Sequence, residues 1–274
     1  MRLKSVMSIA FNRCARGALT TLALFGLVTA SGAGVVADQV TAKSTVRVCI
    51  WPAYYGVSFR NPNTQQLEGI DIDLSAELAR DLKVKLQYVD SSFATLVDDL
   101  NANRCDVAMY SVAMLPQRLE QLKFSRPYLH SDIYGMTTKS NRVVQQWSDI
   151  DQPGVLVGVQ VGTFMEPIMR AHLKQAQMVI VSPPTTRERE LEAGRIDVFM
   201  TDYPYSRRLL DNADWGRLIS PPTAFNVLPY GYPVKRGDDE WARQIDDFVV
   251  RIQRDGRLVS AAKRHGLSAI VVRN

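Results

Sequence analysis

The chain has 274 residues, 22% of them charged, with a formal net charge of +5 and a pI near 9.1. That length allows two modest domains, each burying its own core. The basic surplus sits largely in the first segment (Arg2, Lys4, Arg13, Arg16); the rest is close to neutral, which excludes the electrostatic footprint of a nucleic-acid-binding protein.

Residues 1–37 read as a signal peptide. The basic leader is followed by an uncharged run, "GALTTLALFGLVTASGAGVVA" (17–37), and Val35 and Ala37 offer a peptidase small residues before Asp38. The run is also long enough for an uncleaved anchor, but the Gly, Ser and Thr of its second half favour cleavage and export to the periplasm. Cys14 lacks the small-residue context of a lipoprotein site. Cys49 and Cys105 remain beyond the leader. An oxidising compartment permits a bridge between them. Both fall in or beside predicted strands, where small buried thiols are common, and two cysteines alone fix no geometry. The pairing stays open, with separate thiols the favoured reading.

From residue 45 strands and helices alternate. "TVRVCIW" (45–51) is a β-branched run stopped by Pro52. Asp71 and Asp73 mark a helix start, with Leu74, Leu78 and Leu82 at helical spacing. "KVKLQYV" (83–89) alternates as a strand. Ser91 or Ser92 caps a helix with Phe93, Leu96, Val97 and Leu100 on its apolar face, and "DVAMY" follows as the third strand. That order predicts a parallel sheet with helical crossovers. The pattern restarts with strands at 131–138 and 155–160, a helix from Phe164 to Ala176, "MVIV" (178–181), the helix "RERELEAG" capped by Thr185 or Thr186, and "IDVFM". After an extended stretch, two helices are predicted at Asp238–Arg254 and Arg257–His265, the first with Trp241, Ile245, Phe248 and Val249 inward.

The two halves share a frame. "NRCDVAMYSVAML" (103–115) and "GRIDVFMTDYPYS" (194–206) align Arg104, Asp106, Val107 and Met109 with Arg195, Asp197, Val198 and Met200. The first copy ends in Tyr110-Ser111, the second in Thr201-Asp202. Ligands of open parallel sheets bind beyond such strand ends, so Ser111 and Asp202 converge on one cleft if the two halves face each other. Asp202 also fits a helix N-cap, ahead of "YPYSRRLL" with Pro204 in the first turn. The two roles are compatible.

The order and spacing of "LEGIDIDLSAELARDL", "RCDVAMYSVAMLPQRLEQLKFSRPYL", "VGVQVGT", "GRIDVFMTD" and "IQRDGRLVSAAKRHGL" resemble the periplasmic solute-binding proteins that deliver amino acids to ABC importers. The resemblance covers nearly all of residues 44–268. It implies a two-lobed α/β fold of the type II periplasmic binding protein class, each lobe a mainly parallel sheet flanked by helices. Lobe one is expected at 38–130 plus 229–274, and lobe two at 131–228. The implied role is a non-catalytic, monomeric binder that closes on a small amino acid or related carboxylate and hands it to membrane permease subunits. Neither a cofactor nor a nucleic acid is implied.

The same resemblance places ligand contacts. Arg118 matches the arginine that grips a ligand carboxylate, a task that suits a rigid guanidinium fork. Gly162 and Thr163 match a helix start able to receive an anion, and Asp202 matches the acid that takes the ligand's ammonium. Ala113 and Leu115 stand where the family commonly carries hydroxyls. Trp51, Tyr54, Tyr55 and Tyr110 offer aromatic surface instead, for stacking or for holding a cation. A weaker resemblance is to periplasmic cyclohexadienyl dehydratases, which act on prephenate or arogenate; Glu166 would then be the candidate general acid. His130, His172 and His265 have no metal-ligand spacing, and there is no nucleophile elbow or phosphate loop.

Overall fold

The computed structural model describes residues 35–273, which form an α/β fold of two lobes joined by paired crossing strands. The predicted leader and its anchor alternative lie in residues 1–37, of which 1–34 are outside the described residues. The remaining three begin α1 (Val35–Lys43), which runs straight through the expected junction before Asp38. Val36 and Ala37 are buried, and the Val36 N–H is donated to Asp238 Oδ2 at 2.7 Å. Among the described residues no helix is long and apolar enough to cross a membrane.

The first lobe is built on three parallel strands. β1 (Thr45–Ile50) buries Val46, Val48, Cys49 and Ile50 and stops one residue before Trp51-Pro52. A short hairpin of β2 (Phe59–Arg60) and β3 (Leu67–Glu68) leads into α2 (Ile70–Leu82), whose Ile70, Leu74 and Leu78 face the sheet. α2 ends at Lys83 in a left-handed cap, φ 57°. β4 (Lys85–Asp90) pairs with β1 from Thr45↔Lys85 to Ile50↔Asp90, and α3 (Leu96–Asn101) returns the chain to β5 (Val107–Ala108). The sheet order is β4-β1-β5.

α3 starts later than the sequence predicts, because the residues before it form a polar turn. Ser92 Oγ accepts the Thr95 N–H at 3.2 Å, while Ser91 Oγ and Thr95 Oγ1 both donate to the buried Asp99. Phe93 is thereby released from the helix face. Cys49 and Cys105 are joined by a disulfide, a correction to the favoured reading of separate thiols.

β6 (Val112–Ala113), α4 (Pro116–Gln121), β7 (Leu122–Phe124) and β8 (Leu129–Ser131) carry the chain to the crossing. Beyond it, β9 (Ile133–Thr138), β10 (Leu156–Gln160), α5 (Met165–His172), β11 (Gln177–Val181), α6 (Arg187–Glu192), β12 (Val198–Asp202), α7 (Tyr203–Asn212) and β13 (Gly216–Ile219) build the second lobe. Its sheet runs β11-β10-β12-β9-β13, parallel among the first three and antiparallel at β9 and β13. β14 (Leu228–Gly231) then returns between β6 and β8, and β15 (Pro233–Lys235) pairs with β7. α8 (Asp239–Arg254) and α9 (Arg257–Arg264) pack beside α1 and α2, with Trp241, Ile245, Phe248 and Val249 buried. The chain therefore passes from the β6-β14-β8 sheet to the β11-β10-β12-β9-β13 sheet between Ser131 and Ile133 and passes back between Ile219 and Leu228.

Candidate functional site

The carboxyl ends of β1 and β12 face each other across the lobe junction, and aromatic rings fill the gap. Trp51, Tyr54 and Phe93 come from the first lobe, Tyr205 from the second. Trp51 lies 5.4 Å from Tyr54, edge-on to Phe93 at 5.2 Å, and near-parallel to Tyr205 at 6.5 Å and 17°. With Thr163 and Asp202 they enclose a cavity of only about 10 Å³, the room of roughly one water.

Asp202 ends β12 and caps α7, accepting the Tyr205 N–H at 3.2 Å. Its other oxygen takes two hydroxyls, one from Tyr54 across the junction and one from Tyr230 at 2.7 Å. The residue is thus both a cap and a wall of the cavity. Burial raises its pKa, against the lowering effect of the two tyrosine hydrogen bonds. Burial, with Asp202 next in weight, holds the Tyr54 hydroxyl well above its ordinary range, so it remains a donor.

Arg118 is buried on α4. One N–H group reaches the Ala113 carbonyl at 3.0 Å; another crosses to the Gly162 carbonyl of the second lobe at 2.7 Å. Its guanidinium stands 5.5 Å over the Phe93 ring. Among the described residues it forms no ion pair with a carboxylate. Burial pushes its pKa down, as expected for a cation with carbonyls and a ring for company.

Gly162 is required by close approach. Its φ is +75°, and a Cβ there would stand 2.5 Å from the Ala94 nitrogen of the first lobe. Its N–H is not free for an anion: Glu166 folds back to accept it at 2.9 Å. Glu166 also pairs with Arg170 at 3.1 Å. The Thr163 hydroxyl donates to the Gln160 carbonyl at 2.8 Å. Thr163 lines the aromatic cavity and, with Arg118, Gly162 and Glu166, a second and open cleft of about 530 Å³ between α4 and α5.

Two expected contacts point elsewhere. Ser111, with a left-handed φ of 51°, gives its N–H to Asp71 Oδ2 at 2.8 Å and shares a hydrogen bond with the Tyr128 hydroxyl. Tyr110 is fully buried behind Phe93, its hydroxyl on the Ser92 carbonyl at 3.2 Å. Neither lines the cavity or the cleft, because the turn after β5 directs both side chains into the first lobe. Of the expected residues, Trp51, Tyr54, Thr163 and Asp202 surround the cavity, while Arg118 and Gly162 border it from the cleft.

Sequence reading missed Arg187 and Asp71. Arg187, which the sequence offers only as the first residue of the helix "RERELEAG", is 3% exposed, donates to the Met200 carbonyl at 2.8 Å and lies 4.3 Å over the Tyr205 ring. The exposed proline pair and Thr186 cap before it gave no signal of this burial. Asp71 looked like a helix-start acid; it is fully buried and takes the hydroxyls of Tyr128 and Tyr232. Burial drives its pKa up to about 6, against the lowering effect of those hydrogen bonds. Among the described residues no cluster of His, Cys, Asp and Glu could hold a metal.

Residues 46–268 match the bacterial extracellular solute-binding proteins, family 3. The chain belongs to that family. Among its curated relatives, the L-cystine-binding protein TcyJ of Escherichia coli K12 is 24% identical over 227 residues, covering 83% of this chain and 84% of the relative. The cyclohexadienyl dehydratase of Pseudomonas aeruginosa is 28% identical over 242 residues, covering 88% and 90%. Among solved structures, the ancestral amino acid-binding protein AncCDT-1, a precursor of cyclohexadienyl dehydratase, superposes with a TM-score of 0.76 at 25% identity, covering 83% of this chain and 98% of that one. A mutant of ArgBP from T. maritima superposes equally well, TM-score 0.76, at 22% identity over 84% of this chain and 99% of that one, a likeness of fold. These family 3 neighbours have the same type II two-lobed fold, and most of the relatives are named as binding proteins.

Proposed function

We propose that the exported chain is the solute-binding component of an ABC importer, closing around a small carboxylate-bearing solute such as an amino acid. The lobes are taken as 38–130 plus 229–274 and 131–228, joined at the two crossings described above. The observation that carries this reading is Arg118, a buried guanidinium at the lobe junction with which no carboxylate among the described residues forms an ion pair. A ligand carboxylate would supply the missing charge, in a bidentate geometry that lysine could not match. Asp202, opposite, would exchange the Tyr54 hydroxyl for a ligand ammonium, and Trp51, Tyr54 and Phe93 would cover the rest of the solute. Entry requires the lobes to part, since the enclosed cavity holds about 10 Å³. The closed form would then be the one that ligands select. Relatives named for L-cystine and L-arginine support an amino-acid-like solute, and the leader supports a periplasmic site of action.

The test is a thermal-shift screen of the purified protein against amino acids, small carboxylates and amines, followed by calorimetric titration of each hit. A ligand at a hundred times its dissociation constant adds about 2.7 kcal/mol of stability. A screen in which no carboxylate raises the melting temperature would remove the reading.

A dehydratase is the second reading, favoured by the placement of Glu166 on the cleft wall beside Gly162. Its carboxylate is already held by the Gly162 N–H and by Arg170. Incubation with prephenate or arogenate decides: the binding reading expects no product above the uncatalysed rate. Product formation that Glu166→Gln abolishes would establish the enzyme.

A further inference from the structure

The cavity wall holds a second buried guanidinium that the family reading does not use. Arg187 opens α6, is 97% buried, and lines the aromatic cavity together with Asp202 and Tyr205. Its partners are the Met200 carbonyl at 2.8 Å, the Tyr205 hydroxyl, and two ring faces, Tyr205 at 4.3 Å and Phe199 at 5.1 Å. A guanidinium carries five N–H groups, and rings and a carbonyl neutralise none of its charge. Among the described residues no carboxylate forms an ion pair with it. Of the nearby acids, Asp202 is close enough for the guanidinium to lower its pKa, without pairing with it directly. Asp202 takes Tyr54, Tyr230 and the α7 cap, and Glu188 accepts the Tyr205 hydroxyl at 2.7 Å and does not line the cavity.

Charge balance follows from this arrangement. Arg118 stands on one side of the Phe93 ring and Arg187 on the far wall, behind Tyr205. Glu166 and Arg170, at the mouth, cancel each other. The cavity and the adjoining cleft together therefore carry Arg118 and Arg187 against Asp202, one positive charge in excess once Glu166 and Arg170 have cancelled. A zwitterionic amino acid, with no net charge, would leave one buried cation unanswered. A cationic solute would bring a third positive charge beside the two, in a region that loses water on closure.

We propose that the solute carries two anionic groups, typically two carboxylates, one received by Arg118 and the other by Arg187, with Asp202 serving any ammonium group. The inference rests on the binding reading above and specifies its substrate class. Arg187 becomes the residue that selects for the second anion, and the protein disfavours cationic amino acids. The bland alternative is that Arg187 only ties α6 to the end of β12, in which case its removal changes stability and leaves ligand preference alone.

Calorimetric titration of the full chain with matched probes separates these cases. L-glutamate and L-2-aminoadipate carry the second carboxylate; L-glutamine and L-norleucine are their neutral counterparts, and L-arginine is the cationic control. The expected result is that at least one dicarboxylate probe binds tenfold or more tighter than its neutral counterpart, with L-arginine weakest. Arg187→Met should collapse that ratio to below twofold, and Arg187→Lys should restore part of it. Arg118→Ala should weaken every probe. If a neutral probe or L-arginine binds as tightly as the dicarboxylates, with Arg118 still required, the second-anion proposal is overturned and the binding reading stands. A tenfold preference that survives Arg187→Met also overturns it. Binding of none of the five would sink both. The wild-type ratio alone decides the matter should the Arg187 variants fail to fold.

Discussion

Tyr230 donates its hydroxyl to Asp202 at 2.7 Å, from a strand that belongs to the other lobe's side of the crossing. Two residues on, Tyr232 makes the matching bond to Asp71, also at 2.7 Å. One returning segment thus supplies a tyrosine hydroxyl to each of two buried acids that form no ion pair among the described residues. Tyr230→Phe removes a charge-assisted bond from a carboxylate that water cannot reach. The expected loss of folding stability is about 1–3 kcal/mol, read from urea unfolding. A change within a few tenths of a kcal/mol would mean that Asp202 finds another donor.

Asp71 predicts a pH dependence with a definite sign. Its folded-state pKa, about 6, is raised above the ordinary carboxylate value of 3.8. The native state therefore holds a proton that the unfolded chain has released. The associated stability is present below the unfolded pKa and is lost as pH rises through about 6. Other acids titrate in the same range, so the contrast with Asp71→Asn is the measurement. From pH 4 to pH 7 the variant should gain on the wild type by about 2 kcal/mol. A constant offset between the two proteins across that range would show that Asp71 titrates normally.

The disulfide closes a loop of 56 residues that contains α2, β4 and α3. Restricting the unfolded chain by a loop of that length is worth about 4 kcal/mol. The double variant Cys49→Ala, Cys105→Ala should lose about 2–4 kcal/mol and keep its ligand, since neither sulfur lines the cavity. Equal denaturation midpoints for oxidised and reduced wild type would argue against the bridge.

Asp202 and Arg118 separate cap from contact. Asparagine caps a helix about as well as aspartate, so Asp202→Asn should preserve α7. It should still weaken an amino-bearing ligand by tens-fold, because the ligand's charge is left poorly paired in a closed site. Arg118→Ala should weaken all carboxylate ligands by a similar factor. Wild-type affinity in Asp202→Asn would assign the acid to capping alone, and the ammonium contact would be withdrawn.

Regular elements were legible where burial and periodicity agree. β1, β10 and β12 lie where apolar β-branched runs predicted them, and α8 turns inward the four residues its spacing named. The frame shared by 103–115 and 194–206 did mark two strand ends, and Asp202 stands at one of them. Ser111 shows the limit of that argument. Its left-handed backbone turns the side chain into the lobe, and nothing local in the sequence encodes the buried Asp71 that receives it. Ser91 and Ser92 are equally instructive: both are good caps, but they bond within a turn and start the helix late, which frees Phe93 for the junction. Arg187 was hidden because a charge in "RERELEAG" looks solvated until the β10–β12 sheet is laid over it.

Asp132 determines how the two halves of the molecule can move. It sits on the outgoing segment, yet its carboxylate accepts the N–H groups of Phe225 and Asn226 on the returning one, at 2.8 and 2.7 Å. Just below, Ser131 lies opposite Leu228. The two connections are laced into one ribbon instead of running as independent strings. A ribbon flexes across its face but resists torsion, because torsion would part the backbone hydrogen bonds that lace it. Relative motion is thereby reduced towards a single degree of freedom. On the proposed binding function, whichever wall a solute touches first, closure would follow the same coordinate to the same end point, with the two walls arriving in fixed register.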